Sequence, residues 1–183
     1  MLPPELPVFS TVPQFELLDE MGKNFGSNNL KGKVYLANFA FTSCPVTCRE
    51  LLKKMQKIQK RVKGVGSKIA LVTFSVDPEV DTPKILFKTA RDLKANPNIW
   101  KFVTGEREKV SNLLIKGFKV PMGEKKENES LLDIAHSEKI VLVDEKGQIR
   151  GYYGSDKIAI NKLMIDIGLM INRGHFNTKQ KGV

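Results

Sequence analysis

Apolar positions in this chain follow two rhythms. Val34–Phe41 (VYLANFAF) and Lys68–Val76 (KIALVTFSV) are nearly continuous apolar runs, the pattern of strands buried on both faces of a parallel sheet. Between them Leu51, Leu52, Met55, Ile58 and Val62 recur at helical spacing among Lys and Gln. That period predicts an amphipathic helix lying on the sheet and ended by Gly64 and Gly66.

The alternation continues. DTPKILFKTARDL predicts a second helix, capped by Asp81 or Thr82 and with a proline in its first turn. IWKFVTG reads as a third strand, and EREKVSNLLIKGF as a third helix ending near Gly117. PMGEKKENESLLD reads as a polar loop or irregular insertion. HSEKIVLVDEKGQIRGYYG predicts a β-hairpin, with KIVLV and QIRGYY as strands around the turn DEKG. A last helix is expected from near Asp156, with Ile158, Leu163, Ile167 and Met170 at helical intervals.

Ahead of these elements, four prolines in the first thirteen residues predict an extended, irregular segment. QFELL reads as a short strand, and GKNFGSNNLKGK as a loop with a turn at Leu30 to Lys33. The order βαβαβα followed by ββα predicts an α/β domain with a thioredoxin-like fold. Its central mixed sheet is flanked by helices, with an N-terminal extension and a C-terminal β-hairpin plus helix. The expected division is a Pro-rich segment 1–13, one domain over 14–172 and a frayed tail 173–183.

Composition narrows the class. With 183 residues, 41% hydrophobic and 27% charged, the chain is long enough for one well-packed core. No apolar run approaches the roughly 18 residues of a spanning helix, and the start MLPPELPVFSTVPQFEL lacks the basic and apolar regions of a signal peptide. The expectation is a chain without anchor or export signal as given. The net charge is +10, but the lysines are scattered and alternate with acids on the expected helices. With no aromatic RNA-binding motif and no Cys/His finger spacing, nucleic acid is not an expected partner.

The chemistry concentrates in FTSCPVTCRE, which holds both cysteines, Cys44 and Cys48. The pair follows a strand and opens a helix. TCRE fits a capping box with Thr47 as N-cap, or Pro45 starts the first turn. Either way, unpaired N–H groups and the positive dipole end favour thiolate. A redox couple, a structural staple and half of a metal site all remain open. Residues four apart on a helix have Cβ atoms about 5–6 Å apart, wider than the roughly 3.5–4.5 Å of an unstrained disulfide. Two thiolates sharing a metal at about 2.3 Å each tolerate the wider gap.

Two soft sulfurs with one imidazole suit copper, or zinc where a fourth ligand exists. Of the two histidines, His175 falls in the expected tail, whereas His136 precedes the hairpin. Ligand sites gather outside the carboxyl ends of parallel strands. Cys44 and Cys48 follow one such end, and Asp77 in SVDPEVDTP follows another. An antiparallel strand starts at that same edge, so the hairpin brings His136 round to the cysteines. Asp77 either caps its Asp-Pro turn or orients a ligand or thiol. The methionines read as core packing, with Met122 in the polar loop the one exception.

These segments carry a resemblance. NFAFTSCPVTCREL, VTFSVDPEVDTP and HSEKIVLVDEKGQIRGYYG resemble, in the same order, the strand–loop–helix, Asp-Pro turn and histidine-hairpin of the Sco (SenC) copper-binding proteins. That family assembles the copper centre of cytochrome c oxidase. The resemblance implies copper, Cu(I) or Cu(II), held by Cys44, Cys48 and His136. It implies a partner in the copper-site subunit of cytochrome c oxidase or another copper chaperone. The implied location is the bacterial periplasm or outer face of the cytoplasmic membrane, with the mitochondrial intermembrane space as alternative. Where the family often has an acidic residue and a proline around its cysteines, this chain has Val46 and Arg49; Ser43 and Ala135 depart likewise.

The rival reading is an enzyme, either a thiol–disulfide reductase acting on a copper-site disulfide or a peroxiredoxin-like thiol enzyme. Here Cys44 and Cys48 would be catalytic. The C-x-x-x-C spacing and the lack of a proline before KIVLV weigh against routine thioredoxin chemistry.

Overall fold

The two continuous apolar runs lie side by side and in parallel. A computed structural model gives residues 5–120 and 130–180, with side chains described to residue 173. In chain order the strands are β1 (Ser10–Thr11), β2 (Glu16–Asp19), β3 (Asn24–Gly26), β4 (Val34–Ala40), β5 (Ile69–Ser75), β6 (Trp100–Thr104), β7 (Ile140–Val143) and β8 (Gln148–Tyr153). The helices are α1 (Ser27–Leu30), α2 (Thr47–Val62), α3 (Pro83–Asp92), α4 (Arg107–Ser111), α5 (Leu131–His136) and α6 (Lys157–Gln180). A 3₁₀ segment, Lys63–Lys68, follows α2, and a π-helical segment, Asn112–Gly117, continues α4.

All eight strands join one sheet in the order β1-β8-β7-β4-β5-β6-β2-β3. β4, β5 and β6 are parallel; β7 and β8 continue antiparallel on one side, and β2 and β3 on the other. With helices packed on this mixed sheet, the fold is thioredoxin-like. Every residue of β4 and of β5 is buried, as two-sided apolar runs require.

Helix α2 buries Cys48, Leu51, Leu52, Met55, Ile58 and Val62. Each such apolar side chain taken fully from water contributes roughly 1.5–3 kcal/mol. Under β4 and β5, Phe39, Phe74 and Phe118 form an aromatic cluster with ring centroids 5.2–6.1 Å apart. Thr82 is the N-cap of α3, its side chain accepting from Ile85 N–H, and Pro83 follows. Asp81 has a different role.

The hairpin turn is Asp144–Gly147, closed by Gly147 N–H to Asp144 C=O at 3.0 Å. Gly147 sits at φ 79°, where a side chain would be strained. Lys33 N–H donates to Leu30 C=O at 3.0 Å, the turn expected there.

Several segments differ from their sequence reading, among them Ser27–Leu30, read as loop and folded as α1, and 173–180, where α6 continues through the expected tail. The Pro-rich extension is not wholly irregular: Ser10 and Thr11 pair with Ile149 and Gln148, so β1 lines the edge of β8. Its backbone donors and acceptors are met by that strand, which outweighs the weak local signal. NFG, read as loop, forms β3 on β2. LLD, read as loop, opens α5, where Ser130 and Asp133 form a capping box; a six-residue helix is too short to show a period. Met122 lies outside the described residues, and so does the His175 side chain.

Candidate metal centre

β4 ends at Ala40 and β5 at Ser75, in register at the same edge. The chain after β4 makes one tight loop and enters α2. Cys44 N–H donates to Phe41 C=O at 3.3 Å, folding the loop back on the strand end. Cys48, in the first turn of α2, donates its backbone N–H to Cys44 Sγ at 3.4 Å. Both cysteines are free thiols and both are buried.

The expected capping box is not formed. The N-cap is Val46, without a side-chain cap hydrogen bond, and Thr47 is the first helical residue. Thr47 Oγ1 instead lies 3.3 Å from Cys44 Sγ. Glu50 turns to Lys53 at 3.0 Å. The sulfur has taken the hydroxyl that the backbone would otherwise have used.

This gives the two thiols opposite acidities. Burial raises the pKa of Cys44, but hydrogen bonds from Thr47, from the Cys48 side chain and from the backbone of Cys48 and Val46 outweigh it, and the pKa falls below the usual thiol value. Cys48 lies in denser surroundings. Burial first, then its hydrogen bond to Cys44 and the neighbouring charge, push it up to about 12 against the smaller lowering effects of Phe41 and Thr47. The surroundings thus favour the thiolate at Cys44 and the protonated thiol at Cys48.

The loop before Cys44 is anchored by Asp81, which the sequence offers only as a cap. Its carboxylate is fully buried. It accepts from Thr42 N–H at 3.2 and 3.3 Å, from the Thr42 hydroxyl, and from the Ser75 hydroxyl at 2.7 Å. No cation pairs with it among the described residues. A buried carboxylate meets its desolvation cost through such donors. Asp81 thereby ties the loop two residues before Cys44 to the end of β5. In the sequence, DTP reads equally well as a helix start, so its burial had no signal of its own.

Asp77 begins the Asp-Pro turn, with its carbonyl accepting from Val80 and Asp81 N–H at 3.1 and 2.9 Å. Its own N–H donates to Ser75 Oγ at 3.1 Å, which links it to Asp81 through one hydroxyl.

His136 is the last residue of α5, exposed, followed by Glu138 at φ 51° and then β7. Asn38 pairs with Ile140, so β7 starts beside the end of β4, and α5 packs against both α2 and β4. The histidine is therefore at the cysteine edge, as the hairpin argument expects. Its side chain is not gathered with the sulfurs: among the described residues, no group of three or more His, Cys, Asp or Glu side chains stands close enough to hold a metal. The soft dithiol is assembled and suits a thiophilic ion such as Cu(I); a nitrogen donor is near in topology but turned to solvent.

Comparison with known proteins bears on this edge. A model of the SCO1/SenC family matches residues 5–171. The SCO1 protein homolog of Bacillus subtilis is 31% identical over 163 residues, spanning 88% of this chain and 83% of that protein. The structure of BsSco, described as a member of the Sco family of cytochrome c oxidase assembly proteins with a disulfide switch, superposes with a TM-score of 0.76 at 28% identity over 92% of this chain and 98% of that one. Bradyrhizobium japonicum ScoI, solved with copper bound, shares the fold with a TM-score of 0.68 at 21% identity, over 88% and 99% of the two chains.

Proposed function

The chain belongs to the SCO1/SenC family, and from that premise we propose that it is a copper-binding metallochaperone that helps assemble the copper centre of cytochrome c oxidase. The observation that carries the reading is the reduced Cys44–Cys48 pair, joined by a 3.4 Å N–H···S hydrogen bond at the start of α2. Copper is the cargo. Cys44 and Cys48 are its sulfur ligands, and His136 is the nitrogen ligand once its exposed side chain turns toward them.

The chain's own residues prepare for this exchange. The Thr47 hydroxyl and the N–H of Cys48 favour the thiolate of Cys44, the form that binds metal. Cys48 keeps its proton until a metal displaces it, and uptake therefore releases protons and weakens in acid. Asp81 fixes the loop that sets the sulfur spacing. The partner is the copper-site subunit of the oxidase or another copper chaperone. The place of work is the bacterial periplasm or outer face of the cytoplasmic membrane, with the mitochondrial intermembrane space as alternative. No helix among the described residues is long and apolar enough to cross a membrane.

The deciding experiment is anaerobic titration of the reduced protein with Cu(I) and Cu(II), counting metal and free thiols together. One copper per chain, lost on replacing either cysteine by Ser, is the expected result. Unchanged stoichiometry and affinity in the double Cys→Ser variant would refute it.

A second reading, reduction of a copper-site disulfide in a partner, is favoured by the opposed acidities of the two thiols. Cys44 thiolate attacks the partner disulfide, and one partner sulfur leaves with the electron pair. Cys48, once deprotonated, attacks Cys44 of the mixed disulfide, releasing the second partner thiol and leaving Cys44–Cys48 oxidised. Stoichiometric loss of both free thiols on mixing with an oxidised copper-site domain tests this; retention of both thiols excludes it.

A further inference from the structure

We propose that the groove between α2 and α3 docks an acidic, amphipathic segment of the protein that exchanges copper or disulfide with the cysteines. This extends the function proposed above and rests on it for the identity of the partner.

The groove encloses about 860 Å³. Its floor is apolar, made by Phe41, Leu52, Ile85 and Leu93. Ile85 is 39% exposed, so part of the floor is open to water. The rim carries Arg49 and Lys53 from α2 and Lys84 and Lys88 from α3, against the single acid Asp92.

Those cations are available to a partner. Lys53 pairs with Glu50 and Lys88 with Asp92, each at 3.0 Å and each well exposed. Such exposed pairs within one helix are weak and exchange readily. Arg49 and Lys84 have no acidic partner among the described residues. α2 and α3 follow parallel neighbouring strands, so both begin at the same edge and add their positive dipole ends there.

An apolar floor between two cationic rims fits a segment with apolar side chains on one face and carboxylates on its flanks. The position connects the groove to the chemistry. Phe41 and Thr42 line it and lead directly into Cys44, and Arg49 follows Cys48. A segment seated there reaches the thiols, and its acidic character steers association with a chain of net charge +10.

The test uses the reduced, ¹⁵N-labelled protein and a synthetic helical peptide with leucines on one face and glutamates on its flanks. A copy with lysines for the glutamates and phosphatidylglycerol vesicles serve as controls. The glutamate peptide is expected to shift the amide signals of α2 and α3 along the groove. The double variant Lys84→Glu/Lys88→Glu, and separately Ile85→Ser, should weaken it by about tenfold or more, while copper titration of the double variant matches wild type. Shifts elsewhere or none, equal binding of the lysine copy, or unchanged affinity in the double variant would overturn the proposal. Groove shifts produced by vesicles and not by the peptide would reassign the face to membranes. A failed copper titration with intact peptide binding would instead reject the metal reading and leave the groove standing.

Discussion

The backbone N–H of Cys48 points at Sγ of Cys44 across 3.4 Å, so the helix that carries one cysteine begins by solvating the other. The contact separates two chemically identical groups: Cys44 receives a hydrogen bond that favours its thiolate, and Cys48 supplies the donor.

Alkylation should follow that division. Because the Cys44 pKa lies below the usual thiol value and that of Cys48 is near 12, limiting iodoacetamide near pH 7 is expected to label Cys44 first. Labelling of Cys48 should rise only at strongly alkaline pH. Cys48→Ala removes a hydrogen bond that lowers the Cys44 pKa, so the midpoint of the Cys44 rate profile should move upward. Peptide mapping by mass spectrometry reads both; preferential labelling of Cys48 at neutral pH would contradict the assignment.

Thr47→Val distinguishes a sulfur partner from a helix cap. Loss of a true N-cap costs roughly 1 kcal/mol. Since the Thr47 hydroxyl faces Cys44 and α2 has no side-chain cap, urea denaturation should change by less than that. Cys44 alkylation near neutral pH should slow because its pKa rises. A large stability loss with unchanged thiol reactivity would restore the capping role.

Much of this is legible in the sequence. Val34–Ala40 and Ile69–Ser75 are nearly all apolar because both faces of both strands are covered, and that pattern survives any local ambiguity. The edge shared by the cysteines and His136 followed from strand direction alone. What stayed hidden depended on competition for a single group. Thr47 matched a capping pattern, yet a sulfur claimed its hydroxyl. Asp81 matched a cap as well, but Thr82 took that place and left the carboxylate for Thr42 and Ser75. Helix α5 was too short to register a period, and its capping box lay in a polar stretch read as loop.

Asp81→Asn should be destabilising out of proportion to its size. The amide turns an N–H₂ toward groups that are themselves donors, leaving at least one buried donor unpaired, a cost of roughly 1–3 kcal/mol. The loop before Cys44 should loosen as well, so the expected outcome is a lower urea midpoint together with faster thiol alkylation in native buffer. Wild-type values for both measurements would show that Asp81 does not hold the loop.

His136→Ala should separate the two oxidation states of copper. Cu(I) is soft and is satisfied by two thiolates, whereas Cu(II) favours harder nitrogen donors in a tetragonal site. The variant is expected to keep much of its Cu(I) affinity, lose most of its Cu(II) affinity and alter the sulfur-to-Cu(II) absorption; His175→Ala should change neither. Electron paramagnetic resonance with normal nitrogen coupling in His136→Ala would place the nitrogen ligand elsewhere.

Strand β4 also sets a sequence of events in time. Leu36 is paired on one side with Leu71 and on the other with Leu142. As the chain emerges from the ribosome, the first partner arrives early, and the second only after most of the chain has been made. Until then the strand that leads into the cysteines is an uncovered sheet edge, with its backbone groups open to any passing strand. The later segment 131–143 closes that edge and in the same motion delivers the helix bearing His136. Pairing of β7 and completion of the candidate ligand set are thus one step, and a chain stalled before β7 carries a dithiol without the edge that would bring it a nitrogen.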